Sequence, residues 1–299
     1  MPWRAGGVFL ADAMQKRRQL LMALGAGLLG APVMAAAQPR PLRIGFLGSE
    51  SAAYAAGRLE ALRAGLRDLG YGAGLALEFR WAEGHPARLR KLVMELLALK
   101  PDLFIADTAR AARAAGQVGD AVPVIGVEMQ DATGAANLTG FSVSSAQLAA
   151  KRLELLKEVM PRMRRAAVLQ VSVSESIEAA IAGLAERGVD GLLVPDSAAF
   201  SRRYRSIAEM ALAKGMGAAG SSAFAQSGGL VGYSPHAPEL YRRAAVLADK
   251  ILKGAKPAEL PIGAPSNYEL LVSARTAKRF GFAVPGSILS RSGRLGGMN

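Results

Sequence analysis

Short apolar runs alternate with amphipathic stretches from residue 42 onward. Leu42–Leu47 is one such run and ends at Gly48 and Ser49, the pattern of a strand buried on both faces. Leu59, Leu62, Leu66 and Leu69 recur at helical spacing on one face, and Gly70 stops that helix. Leu75–Phe79 reads as a strand. Leu89, Leu92, Val93, Leu96 and Leu97 mark a helix closed by Pro101. A strand at Leu103–Ala106, a helix at Arg110–Ala115 and a strand at Val122–Val127 follow. Strands alternating with helices predict an α/β sheet.

The pattern then repeats. A helix is predicted from Ala146 to Met160, ended by Pro161. A second series starts at the strand Ala166–Val171. It continues with a helix near Ile177–Arg187, a strand at Gly191–Val194 and a helix near Tyr204–Lys214. Strands near Ala218–Ser222 and Leu230–Tyr233 precede a helix from Pro238 to Lys253. Tyr268–Ser273 reads as a strand before a last helix around Thr276–Phe280. No short-period repeat and no low-complexity linker interrupts the series. The organisation predicted is a leader over 1–37, an N-terminal α/β lobe over 38–145, a C-terminal lobe over 146–265, and a crossover strand, helix and tail over 266–299.

The leader changes the picture. Lys16, Arg17 and Arg18 precede the apolar stretch Leu20–Ala31, and Ala35-Ala36-Ala37 follows. A basic start, a short apolar middle and a small-residue end are the parts of a secretory signal peptide, with cleavage expected after Ala37. The stretch is shorter than the roughly 20 residues a bilayer span needs. The chain has 299 residues, no cysteine and a formal net charge of +13. Without cysteine there is no disulfide, thiolate metal site or cysteine nucleophile. The positive charge does not lead to nucleic acid as a partner. Arg58, Arg63, Arg67, Arg152, Lys157, Arg162 and Arg164 lie on predicted amphipathic helices, where they read as solvated faces. His85 and His236 are the only histidines, and no nucleophile elbow or phosphate loop is present, so no metal, cofactor or catalytic residue is assigned.

Several segments carry a resemblance. They are Ile44-Gly45-Phe46-Leu47, Ala64 to Tyr71 (AGLRDLGY), Glu78 to Gly84 (EFRWAEG), Asn137-Leu138-Thr139-Gly140 and Ala149 to Leu156 (AAKRLELL). Gly228-Gly229-Leu230, Ile251 to Pro257 (ILKGAKP), Thr276-Ala277-Lys278, Gly281 and Val284-Pro285 extend it. The chain is similar, collinearly from about residue 41 to 290, to the substrate-binding proteins of ABC transporters of the tryptophan/tyrosine type. The resemblance implies a two-lobed, type I periplasmic-binding-protein-like α/β fold that closes on a small amino-acid-like ligand. It also implies a periplasmic, monomeric, non-enzymatic protein with an ABC permease of the inner membrane as partner. The chain departs from the family in two places. Asp131–Ala136 is short, and Gln170–Ser176 runs almost directly from a strand into the next helix. About one βα unit of roughly 30 residues is therefore expected to be missing from the second lobe. This leaves open a second reading, a homologue that serves as a sensory or scaffold partner of a membrane protein.

In open α/β sheets ligands lie outside the carboxyl ends of the strands. Ser49, Glu50 and Ser51 follow the first strand, where a hydroxyl holds a carboxylate or caps the next helix. Asp107 and Thr108 follow the third strand, with the same two readings. The resemblance implies small hydroxyl or glycine residues there, so Asp107 is a departure that favours an amino group. Glu128 adds a second acid to the same rim, and Arg110 or Arg113 can pair with either acid. The second lobe contributes Asp196 and Ser197, then Ser221 and Ser222. Tyr233 and Phe224 can stack on a flat ligand or belong to the core. Trp81 reads as a surface or interlobe residue.

Overall fold

The computed structural model describes residues 40–72, 74–118, 121–132, 136–171 and 175–293. The expected signal peptide lies outside these residues, as do the middle parts of the segments 131–136 and 170–176. No helix among the described residues is long and apolar enough to cross a membrane.

The first sheet has the order β2-β1-β3-β4-β5 and is parallel throughout. Its strands are β1 (Leu42–Gly48), β2 (Leu75–Trp81), β3 (Leu103–Ala106), β4 (Val124–Gln130) and β5 (Leu138–Val143). β1 and β3 sit centrally and are apolar along nearly their whole length, as burial on both faces requires. β5 goes beyond the strands predicted. It pairs with β4 because Gly140, at φ +135°, lets the two backbones approach closely.

Helix α1 (Ala52–Asp68) starts on the N-cap Ser51 and buries Ala55, Leu59, Leu62 and Leu66 against one face of this sheet. α2 (Leu89–Ala98) and α3 (Ala109–Val118) cover the other. The chain then passes to a second sheet through α4 (Ser145–Val159).

The second sheet has the order β10-β9-β8-β7-β6. β6 (Ala166–Val168), β7 (Gly191–Leu193), β8 (Gly217–Gly220) and β9 (Val231–Pro235) run parallel, and β10 (Tyr268–Val272) is antiparallel to β9. α5 (Ile177–Glu186), the short α6 (Ala198–Ser201), α7 (Tyr204–Ala213) and α8 (Ser222–Gln226) lie in the second half of the chain. α5, α7 and α8 cover one face of the second sheet. α4, α10 (Ala274–Arg279) and α11 (Gly286–Leu289) cover the opposite one.

Both sheets have five strands, and they differ at one edge. In the first sheet β2 lies outside β1. In the second, β6 is itself the edge, with Ala166 and Val168 exposed and no strand beyond it among the described residues. One assignment changes. The helix Ala237–Leu252 (α9), placed by the sequence with the second lobe, packs on the first sheet. Its Leu240, Tyr241, Ala244, Ala245 and Ala248 fill the core above α1, because that face of the first sheet is otherwise half covered. The contact is tight: a Cβ on Gly65 of α1 would stand 2.9 Å from Ala245 Cβ. The chain returns through Gly263, which bridges to Phe141 of β5.

Candidate functional site

The tips of β1 and β3 meet in one cluster. Ser49 N–H donates to Asp107 Oδ2 at 2.6 Å, and Ser49 Oγ donates to Oδ1 at 2.8 Å. Ser49 Oγ also lies 2.7 Å from Thr108 Oγ1. Thr108 Oγ1 accepts from Ala111 N–H and so caps α3. Burial pushes the Asp107 carboxyl up to about 6. The Ser49 hydrogen bonds oppose that rise, and the Glu128 and Glu50 charges add to it.

Glu128 faces the same mouth but is paired. Its partner is Arg58 on α1, at 2.6 Å to Oε1 and 3.3 Å to Oε2. Arg110 and Arg113 are exposed on α3, and neither pairs with it. The Arg58 guanidinium also lies over the Tyr54 ring, 4.5 Å from its centre, one helical turn earlier.

On the second lobe, Asp196 follows β7 and Arg152 of α4 reaches it. Arg152 Nη2 donates to Asp196 Oδ2 at 2.7 Å, and Nε donates to the Tyr233 carbonyl at 2.9 Å. Arg152 is 4% exposed, which corrects its reading as part of a solvated face. The signal was present: Leu148, Arg152, Leu155 and Val159 share one helical stripe, and the other three are apolar.

Ser51, Ser197 and Ser221 each accept a hydrogen bond from a backbone N–H at the start of a helix, from Tyr54, Phe200 and Phe224 respectively. They are N-caps. Ser221 Oγ also donates to the Tyr204 hydroxyl at 3.4 Å. Ser222 is buried and lies 2.6 Å from Ser234 Oγ. The Tyr233 ring stacks on Tyr268 at 5.2 Å, on the face of the sheet that α4 covers. Strand alternation turns its ring away from Ser222 and Ser234, so the structure does not bring it to the mouth. Phe224 is a core residue, edge-on to Tyr204 at 5.3 Å, and Trp81 stacks on Phe79.

The two rims touch. Ser201 Oγ donates to Glu50 Oε1 at 2.9 Å, and Gln130 Nε2 donates to Asp196 Oδ2 at 3.1 Å. Arg202 reaches the Glu83 carbonyl at 3.5 Å and lies 3.4 Å from His85 Nε2. Sequence reasoning missed Gln130 as well as Arg152. Gln130 lies at the end of β4, two residues past Glu128, so the alternation that points Glu128 towards the mouth points Gln130 there too. A cavity of about 490 Å³ lies far from this mouth, between Leu42, Pro123, Asn137 and Ile251 at the amino ends of the first sheet. No group of three or more acids or histidines among the described residues is placed to hold a metal ion.

No family model matches the chain, and no curated protein matches it. Solved structures do. An ABC domain from Streptococcus pneumonia in complex with L-Trp is 20% identical with a TM-score of 0.75, covering 85% of this chain and 99% of that one. A conserved domain protein from Vibrio cholerae is 16% identical with a TM-score of 0.76, again covering 85% and 99%. The myo-inositol binding protein of Caulobacter, bound to myo-inositol, is 15% identical with a TM-score of 0.54, covering 82% and 98%. At these identities the likeness shows the two-lobed α/β fold of the solute-binding proteins.

Proposed function

We propose that the chain is the solute-binding component of an ABC importer. It captures a small amino-acid-like ligand between its lobes and delivers it to a permease of the inner membrane. The protein is exported, works in the periplasm as a monomer, and carries out no chemistry of its own. The observation that carries this reading is the meeting of the two polar rims at the strand tips. Ser201–Glu50 and Gln130–Asp196 join them across a mouth that also holds Ser49, Asp107 and Glu128. Hinge closure over a ligand needs such a mouth, and L-Trp and sugar-like ligands in the similar structures support it.

The test is the melting temperature of the protein against a panel of amino acids, amines, sugars and cyclitols. A ligand at 100 times its Kd adds about 2.7 kcal/mol to stability. A panel without any shift overturns solute capture. That result favours a second reading, supported by the uncovered edge at β6, in which the fold serves as a sensory or scaffold partner of a membrane protein.

A further inference from the structure

The second lobe gathers positive charge at the amino ends of its parallel strands, the end opposite the mouth. Arg162, Arg164 and Arg165 precede β6, Arg187 precedes β7 and Lys214 precedes β8. Arg162 and Arg164 do not lie on an amphipathic helix: α4 ends at Val159, and they follow it in the turn beyond. β10 runs antiparallel to β9, so α10, which follows β10, lies at this same end. There Thr276 Oγ1 donates to the Gly228 carbonyl, just before β9, at 3.0 Å. α10 adds Arg275, Lys278 and Arg279. All eight basic side chains are exposed. Neighbouring strands lie about 4.8 Å apart, so the array spans roughly 19 Å from β6 to β10.

Acids do not balance it. The Asp190 carboxylate accepts from the backbone N–H groups of Arg164 and Arg165, both at 2.8 Å. Glu158 is paired with Arg291, and Glu186 ends α5. Setting Asp190 and Glu186 against the eight leaves an excess of six positive charges, in a chain whose net charge is +13. The carboxyl ends of α4, α5 and α7 point to the same end. Each carries about half a negative charge, so complementing helix ends accounts for only about one and a half of the six. The side chains of Arg162, Arg164, Lys214, Lys278 and Arg279 have no hydrogen bond or ion pair among the described residues.

We propose that this end of the second lobe adsorbs reversibly to an anionic phospholipid surface. Long, unpaired basic side chains spread over one end of a sheet match many phosphates lying side by side, not one enclosed anion. With export as proposed above, a bilayer is the polyanion within reach and nucleic acid is not. Each Lys or Arg close to an anionic surface strengthens the partition about fivefold. The inference goes beyond solute capture and stands whichever ligand the mouth takes. Lipid held at the amino ends of the strands leaves the mouth, at their carboxyl ends, open to solution.

The experiment is co-sedimentation of the processed protein, from Gln38 onward, with vesicles of phosphatidylcholine alone and of equimolar phosphatidylcholine and phosphatidylglycerol. Binding is expected to the anionic vesicles only, and is lost at about 1 M salt, where the screening length falls to roughly 3 Å. Two variants with equal loss of charge fix the place. One combines Arg162→Gln, Arg164→Gln, Lys278→Gln and Arg279→Gln. The other combines Arg90→Gln, Lys91→Gln, Arg110→Gln and Arg113→Gln, all at exposed helix positions of the first lobe. The first is expected to weaken binding by about tenfold or more at an unchanged melting temperature. The second, more than a screening length away, is expected to weaken it by less than about threefold. Equal losses in the two variants overturn the assignment to this end. Equal binding to both kinds of vesicle, or no binding to the anionic ones at low salt, overturns adsorption itself. A DNA duplex that strips the protein from anionic vesicles at equal phosphate concentration overturns lipid as the partner.

Discussion

Ser201 Oγ donates a 2.9 Å hydrogen bond to Glu50 Oε1, tying the helix after β7 to the loop after β1 across 151 residues of chain. A hydrogen bond to a charged group contributes about 1.5–3 kcal/mol. Glu50→Ala is therefore expected to favour separated lobes by tenfold or more. Small-angle scattering of the ligand-free protein should show a larger radius of gyration. An unchanged profile would mean that this contact does not hold the lobes together.

Asp107 gives a pH signature. Its folded value, about 6, lies above the ordinary 3.8, so the folded state holds the proton more tightly than the unfolded chain. The resulting penalty is absent below about pH 4, grows through the window between the two values, and is complete above about pH 6. Asp107→Asn should gain stability relative to the native chain as pH rises from 4 to 7, by up to about 3 kcal/mol. Urea denaturation at a series of pH values reads this difference, and a flat difference would contradict it.

Gly140 holds β5 against β4. A Cβ there would sit 1.8 Å from the Gly126 carbonyl oxygen, and its φ of +135° is one that other residues rarely adopt. Backbone cannot yield as a flexible side chain can. Gly140→Ala should cost about 3 kcal/mol or more, among the large single-site losses. A melting temperature within a degree or two of the native one would refute the close approach.

Arg58 and Glu128 are only partly exposed, at 21% and 30% of their side chains. Their two-point geometry should make the coupling about 1 kcal/mol, at the upper end for pairs that water reaches. A double-mutant cycle with Arg58→Met and Glu128→Gln measures it. Coupling near zero would show that Glu128 is free to receive a ligand's cation.

Much of the architecture was legible because it is local. The Leu59–Leu62–Leu66 stripe, the apolar run of β1 and the stop at Pro161 each depend on neighbours a few positions away. The second sheet ends at β6, the strand that the short segment 170–176 follows. Four of the candidate hydroxyls, Ser51, Thr108, Ser197 and Ser221, cap helices; capping stands beside ligand contact in the sequence reading of Ser51 and Thr108, but not in that of Ser197 and Ser221. The partners of the acids were not legible. Arg58 lies 70 residues from Glu128, and nothing in either one's surroundings names the other. Arg152 was misread because its charge was weighed above the apolar stripe in which it sits.

By itself, then, the sequence determined the alternation of strands and helices, the helix ends and the set of polar residues that follow the strands. These follow from periodicity and from backbone preferences that act within a turn or two. Tertiary structure alone decided that α9 covers the first sheet, that Arg58 and not an α3 arginine neutralises Glu128, and that Arg152 is drawn inside beside Asp196. It also decided that the edge at β6 stays open. Each of these depends on which surfaces remain uncovered once distant segments have packed, a property of the whole arrangement that no local spacing records.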